Sequence, residues 1–296
     1  MKIFLTGNKN IEELKNYVDA NIKNVLLSYI NFYNSKDKRN IHEKLWGMKK
    51  NRVLDYKVQN VLSKFNEVMI DSGAFSYMND SVKKQKPKEL DKFAESYGKW
   101  LRDNRKFYHY FEELDLDFLV GIKKVEEYRI YLEKCAGRQC IPVWHINRGL
   151  EYWEKMTIDY KYVAIGGMVT GEITGMEKYA NFLINIAHQN NCKVHGLGYT
   201  KLRCLKYIPF DSVDSITFRM GSIVGAFFSF FDGQMHRIDP PELKGRYNKS
   251  SKISHQKYNT INLKAWKDYS DYIEDYWKRQ KEEELLIKKE MMLSEC

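Results

Sequence analysis

Eight short β-prone runs alternate with helix-like segments across residues 2–218, and this rhythm restricts the fold more than any other feature of the chain. The runs are Lys2–Leu5, Asn24–Ile30, Val68–Asp71, Tyr110–Leu116, Ile141–Ile146, Tyr162–Gly166, Lys193–Leu197 and Ser212–Phe218. Segments such as Lys88–Asp103, Lys123–Lys134, Gly149–Met156 and Gly175–Gln189 carry helical spacing between them. Repeated β-α units imply parallel strands joined by right-handed crossovers. Eight of them predict a (β/α)8 TIM barrel rather than an open doubly wound sheet. We expect a barrel over residues 1–222. Over 223–296 we expect a C-terminal extension, a basic segment followed by a charged helix packed on the barrel.

Composition excludes several classes of protein. No run approaches the roughly 18 apolar residues of a membrane span. MKIFLTGNKNIEEL lacks the apolar centre and cleavage site of a signal peptide. The expectation is a soluble, cytoplasmic protein, in the host cytoplasm if phage-encoded. Five cysteines without a C-x-x-C pair argue against a disulfide framework and a cysteine-rich zinc site. His188, Cys192 and His195 lie near one another in sequence, but that spacing fits packing and capping, so no metal and no cofactor are assigned. The net charge of +10 is concentrated: Lys36–Arg52 holds seven Lys/Arg against two acids, and Arg219–Asp268 holds nine against four. Two basic segments on an otherwise balanced chain suit a polyanion partner. A merely solvated lysine-rich surface is the plainer alternative.

A barrel places its chemistry at the C-terminal ends of its strands. Aspartates stand there: Asp71 ends VMID, Asp115 and Asp117 lie in FEELDLDFL, and Asp211 and Asp214 lie in FDSVDSITF. In SVDSITF, strand alternation puts Asp214 on a face with Ile216 and Phe218. A buried carboxylate is costly, and sites that tolerate one tend to use it. Helix capping or pairing with surface lysines explains any single aspartate equally well. Glycines at Gly166–Gly167, Gly171 and Gly198 would let a backbone approach a flat ligand, or would simply make tight turns.

Taken in order, these motifs resemble the tRNA-guanine transglycosylases, including the branch that places 7-deazaguanines in DNA. DSGAFS at Asp71–Ser76 is similar to the family's D-S-G-G-F-Q, and AIGGMVTGE at Ala164–Glu172 to its A-I-G-G-L-x-V-G-E. HGLGYT at His195–Thr200 resembles the segment ending M-G-V-G, and FDSVDSITFR at Phe210–Arg219 resembles V-D-M-F-D-C-V-x-P-T-R. The resemblance implies that Asp214 is the nucleophile, attacking C1′ of the target nucleoside to give a covalent glycosyl-enzyme, and that Asp71 is the general acid/base. It further implies that Asp115, with Asp117 close behind, reads the guanine edge, and that Gly166–Gly167 serves the O6 side. His145 or Asn147 would stand where the family carries a glutamine. Ser72, Gly73, Phe75, Gly198 and Arg219 complete the expected substrate contacts.

The chain also departs from the family. After Cys204 the only cysteine is Cys296, so the zinc site of the tRNA enzymes cannot be built, and P-T-R is replaced by T-F-R. The departures suggest a diverged substrate grip, and because short relatives without the tRNA-specific C-terminal apparatus resemble the DNA-modifying branch, the resemblance implies DNA rather than tRNA as the polymer and a preQ0-like 7-deazaguanine as the incoming base. The same exchange on tRNA and a non-catalytic nucleic-acid-binding homologue stand as alternatives, as does an unrelated barrel enzyme acting on a small anion.

Overall fold

The computed structural model describes residues 1–7, 10–33, 53–74, 87–168, 176–239 and 255–294. Eight parallel strands form one curled sheet: β1 Lys2–Leu5, β2 Asn24–Ser28, β3 Glu67–Asp71, β4 Tyr110–Phe111, β5 Val143–Trp144, β6 Tyr162–Ile165, β7 Lys193–Gly196 and β8 Ser212–Ser215. Their order is β4-β3-β2-β1-β8-β7-β6-β5, so the first strand pairs with the eighth, with Phe4 opposite Asp214. This agrees with the expected TIM-like α/β architecture, in which consecutive strands are neighbours.

The edge strands β4 and β5 share no ladder. A single parallel bridge joins Glu112 to Ile141, flanked by Ile141 N–H to Phe111 O (2.8 Å) and Glu113 N–H to Ile141 O (3.1 Å). The next donor, Val143 N–H, is taken by the Glu113 side chain at 2.8 Å. A carboxylate thus replaces a backbone carbonyl where the two strands diverge.

The helices between strands are α1 Ile11–Asp19, α2 Tyr56–Leu62, α3 Pro87–Asp103, α4 Asp117–Val120, α5 Ile122–Ala136, α6 Leu150–Asp159 and α7 Met176–Gln189, followed by α8 Thr217–Val224. Local chemistry sets their ends. Asn10 caps α1 through the Glu13 N–H at 2.9 Å, and Gly137 closes α5 in the left-handed conformation. Their apolar faces pack on the outside of the sheet, where Leu14, Tyr97, Trp100, Leu132, Trp153 and Leu183 are buried. A smaller apolar cluster, Phe4, Leu26, Met69, Ile141, Val143 and Ala164, fills the concave side.

The extension is more than a basic tail. Strands β9 Phe227–Phe231 and β10 Gln234–Ile238 form an antiparallel hairpin. Asp232 and Gly233 turn it with φ of 51° and 67°, the two positive values that a two-residue primed turn needs. Helix α9, His255–Ser294, is 40 residues long and packs on α8, β9 and β1. Its Leu263, Trp266, Tyr269 and Ile273 are buried in the same core as the sheet-packing helices. Asn262 binds the pieces together: its Oδ1 accepts the Phe228 N–H at 2.7 Å, and its amide donates to Phe218 O, Ser222 Oγ and Ala226 O, each at 3.1 Å. Among the described residues, no helix is long and apolar enough to cross a membrane.

Candidate active site

Strand alternation sends every second side chain to the concave face, and at the C-terminal rim this converges three carboxyl groups and a histidine. Asp71 ends β3, Glu112 follows β4, Asp214 lies near the end of β8 and His195 lies in β7. His195 is wholly buried, with its Nε2 3.4 Å from Asp214 Oδ1 and 3.9 Å from Glu112 Oε1. Glu112 and Asp214 are themselves nearly closed off, at 2% and 8% exposure.

Each aspartate is held by a backbone donor in the turn that follows a strand. Gly73 N–H donates to Asp71 Oδ1 at 2.8 Å, and Gly198 N–H donates to Asp214 Oδ1. Gly73 has a φ of +70°, and a Cβ there would lie 2.7 Å from Ser28 Oγ and from Ile30 Cβ. Only glycine fits that turn. Ser72 supports it from inside, its buried Oγ accepting the Ala74 N–H at 3.3 Å.

The site favours protons. Burial, reinforced by the charges of Asp214 and Asp115, pushes Asp71 up to about 6 against the opposing pull of the Gly73 N–H and the neighbouring Ser28 hydroxyl. Burial also drives Glu112 well above the ordinary carboxylate range, helped by Asp71, Asp214 and Asp115. Among the described residues, Glu112 Oε1 and His195 Nε2 have no hydrogen-bond partner, which is costly for buried polar atoms unless a bound group satisfies them.

Next to this cluster lies a second set built on arginine. Glu113, fully buried, accepts Arg129 Nε at 2.7 Å and Arg148 Nη1 at 2.8 Å. Arg148 continues to Asp117 Oδ2 at 3.0 Å and stands 3.8 Å from Asp115. Burial alone would raise Asp117, but the Arg148 guanidinium outweighs it and holds Asp117 below its usual range. Asp115 receives His145 Nε2 at 2.8 Å, and Asn147 reaches Asp117 at 3.4 Å. Asp115 and His145 therefore form a pair at the rim. Asp117 and Asn147 belong to the support behind it.

Several expected contacts have other partners. Gly166 makes room for a side chain of the protein, since a Cβ would lie 2.5 Å from His145 Cε1. Its missing side chain seats the His145 ring. Gly167 has a φ of +74° in the following turn. Arg219 is engaged by Glu13, at 2.7 and 3.2 Å, and by the Gly7 carbonyl, tying α8 to α1. Tyr199, in the turn after β7 and not among those contacts, is buried against Phe210, with ring centroids 5.8 Å apart. Asp211 sits at the opposite, N-terminal end of β8, accepting the Val194 N–H and His188 Nε2, each at 2.9 Å. The polar face of β8 is also not the one expected from SVDSITF. The strand stops at Ser215, Ile216 is exposed, and Asp214 shares the concave face with Ser212. Phe75, Gly171 and the basic Lys36–Arg52 segment lie outside the described residues, as do Lys244, Arg246, Lys249 and Lys252.

Sequence reasoning missed Glu112 and set His195 aside as a packing residue. The available signal was alternation: Glu112, just past β4, is two residues from Tyr110, and His195 is two from Lys193 on β7. Among the described residues, no three His, Cys, Asp or Glu side chains are grouped to hold a metal ion. In comparisons with known proteins, the chain matches no protein-family profile and no curated protein.

Proposed function

We propose that this protein is a base-exchange transglycosylase that removes guanine from a DNA strand and inserts a 7-deazaguanine, through a covalent bond between Asp214 and the sugar. The observation that carries this reading is the convergence of Asp71 and Asp214 at the C-terminal ends of β3 and β8, across the concave face, near enough that the Asp214 charge helps to raise Asp71 to about 6, where it can both give and take a proton. Substitution at C1′ with a retained polymer calls for a nucleophile and a separate proton donor, the division of labour of retaining glycosidases. Asp214, oriented by the Gly198 N–H, attacks C1′ while Asp71 protonates the departing base. Asp71 then takes the proton from the incoming base as it displaces Asp214. Atoms and charge balance over the two halves.

The remaining carboxylates suit base recognition. Asp115, paired with His145 at the rim, would accept from the N–H edge of guanine, and Glu112 lies deeper. We read the curled sheet as a (β/α)8 barrel whose seam lies between β4 and β5, where the Glu112–Ile141 bridge and the Glu113 carboxylate stand in for a ladder. The basic segments would grip the phosphates, and the lack of a cysteine zinc site favours DNA over tRNA.

The test is incorporation of radiolabelled guanine into duplex DNA and into tRNA by the pure protein. Label should enter DNA, and Asp214→Ala should lower the rate by about 10⁴-fold or more. Label entering only tRNA would overturn the choice of polymer. No label in either, or full activity in the Asp214→Ala variant, would overturn the enzyme or its nucleophile.

A further inference from the structure

His195 does more than touch two carboxylates. Its other ring nitrogen, Nδ1, is hydrogen-bonded to Ser212 Oγ, and Ser212 Oγ is hydrogen-bonded in turn to the Tyr162 hydroxyl. Tyr162 begins β6 and Ser212 begins β8, so this chain descends from the C-terminal rim to the N-terminal end of the sheet. There Tyr162 lines a cavity of about 310 Å³ with Lys2, Glu67, Tyr110, Lys193 and Asp211. Carboxylates at one end and a cavity at the other are thus joined by three polar side chains crossing an otherwise apolar interior of Phe4, Leu26, Met69, Val143 and Ala164.

Such a chain is costly to bury, and its upper end is incomplete. Among the described residues, His195 Nε2 and Glu112 Oε1 make no hydrogen bonds; they stand 3.9 Å apart, with Asp214 Oδ1 at 3.4 Å from the same nitrogen. Packing alone would be better served by an apolar side chain at 195, because an unpartnered buried nitrogen loses its hydration without return. The other neighbours leave His195 little alternative. Phe4 on β1 packs edge-to-face with the ring, centroids 6.2 Å apart, Ala164 on β6 carries no charge, and the ionisable groups at the rim are Asp71, Glu112, Asp214 and Asp115.

We propose that Tyr162, Ser212 and His195 form a proton relay that connects the carboxylate cluster to solvent at the N-terminal end of the sheet. Its use rests on the function proposed above: a polymer lying across the C-terminal rim would seal the carboxylates from bulk water, and a route through the opposite end resets their protonation between half-reactions. In one passage, His195 Nε2 takes a proton from Glu112 or Asp214. Nδ1 releases one to Ser212 Oγ, the Ser212 proton moves to the Tyr162 oxygen, and the Tyr162 proton leaves to water in the cavity. One proton enters, one leaves, and no group changes its charge overall except the carboxyl group that gave the proton. Burial holds the Tyr162 phenol well above its ordinary range, so it relays as a neutral hydroxyl.

The experiment needs no substrate. In protein labelled with ¹⁵N-histidine, the exchange of the His195 ring proton with water is measured by NMR. Tyr162→Phe keeps the ring and its edge contact with Tyr110 at 5.2 Å and removes only the hydroxyl. It should slow exchange at least tenfold. Tyr110→Phe removes a hydroxyl from the same cavity that donates to Glu67 instead, outside the chain, and should leave the rate as in the wild type. Wild-type exchange in Tyr162→Phe, or equal slowing in Tyr110→Phe, would overturn the relay. Slow exchange in Tyr162→Phe in a protein without base-exchange activity would sustain the relay and refute the function. In active protein, Tyr162→Phe should lower kcat about tenfold with KM for DNA unchanged, whereas a purely structural residue would move both or neither.

Discussion

Replacing Asp71 by asparagine should make this protein more stable and inactive at once. In the native protein, burial and the neighbouring carboxylates move Asp71 from 3.8 to about 6. At about 1.36 kcal/mol per pH unit, keeping it ionised in the folded state costs about 3 kcal/mol. Asparagine has the same shape, and its Oδ1 still accepts the Gly73 N–H, but it carries no charge. The sign follows from proton binding. Between pH 3.8 and about 6 the folded state holds a proton at Asp71 that the unfolded chain releases, so wild-type stability falls through this window and is level above it with respect to this group. Asp71→Asn escapes that fall. Urea denaturation should give nearly equal stabilities for the two proteins near pH 4, and a gap of about 2 to 3 kcal/mol in favour of Asp71→Asn at pH 8. A gap of the same size at both pH values, or a variant weaker than wild type at pH 8, would refute the account of a destabilised, proton-holding carboxyl. Base exchange should be lost in the same variant, the usual trade between stability and an active site.

Three further perturbations probe the frame around the site. Glu113→Gln takes the carboxylate from buried Arg129 and leaves Arg148 with Asp117 alone at hydrogen-bond distance, so equilibrium unfolding should show a loss of about 3 to 5 kcal/mol, and a loss below about 1 would contradict its role between β4 and β5. Gly166→Ala drives a methyl into the His145 ring, and should cost about 1 to 3 kcal/mol while weakening deazaguanine binding through the displaced His145–Asp115 pair, measured by calorimetry. Asn262→Ala strips partners from the Phe228 N–H and three acceptors, so a loss of about 2 to 4 kcal/mol is expected, with one unfolding transition rather than two because α9 shares the sheet's core. Independent melting of α9 would refute that last expectation.

The site was only partly legible in the sequence, and particular residues show why. Asp71 stands out because it ends an apolar run, and Asp214 because alternation sets it on a face with Ile216 and Phe218. FEELDLDFL offers four acids in close succession, and which of them faces inward depends on where the chain leaves the sheet. It leaves after Glu113, so Glu112 enters the cluster, Glu113 turns to the arginines, and Asp115 and Asp117 go to the rim. Arg219 reads as a substrate contact until Glu13, 206 positions away, is seen to hold it. Asp232–Gly233 was a readable turn signal for the β9–β10 hairpin, overlooked because the FFSFF run before it is nearly all aromatic and shows no polar alternation.

By itself the sequence determined the rhythm of eight strands and their helices, because side-chain alternation and helical periodicity are local properties of the backbone. It also placed the two aspartates at strand ends. What only the tertiary structure decided is which polar groups meet inside the curled sheet: the Tyr162–Ser212–His195 chain, the carboxylates it reaches, and the Glu113 contact that stands where a β4–β5 ladder would run. Those meetings bring residues of separate strands to a common layer, and their positions follow from register and curvature across the sheet rather than from any spacing along the chain.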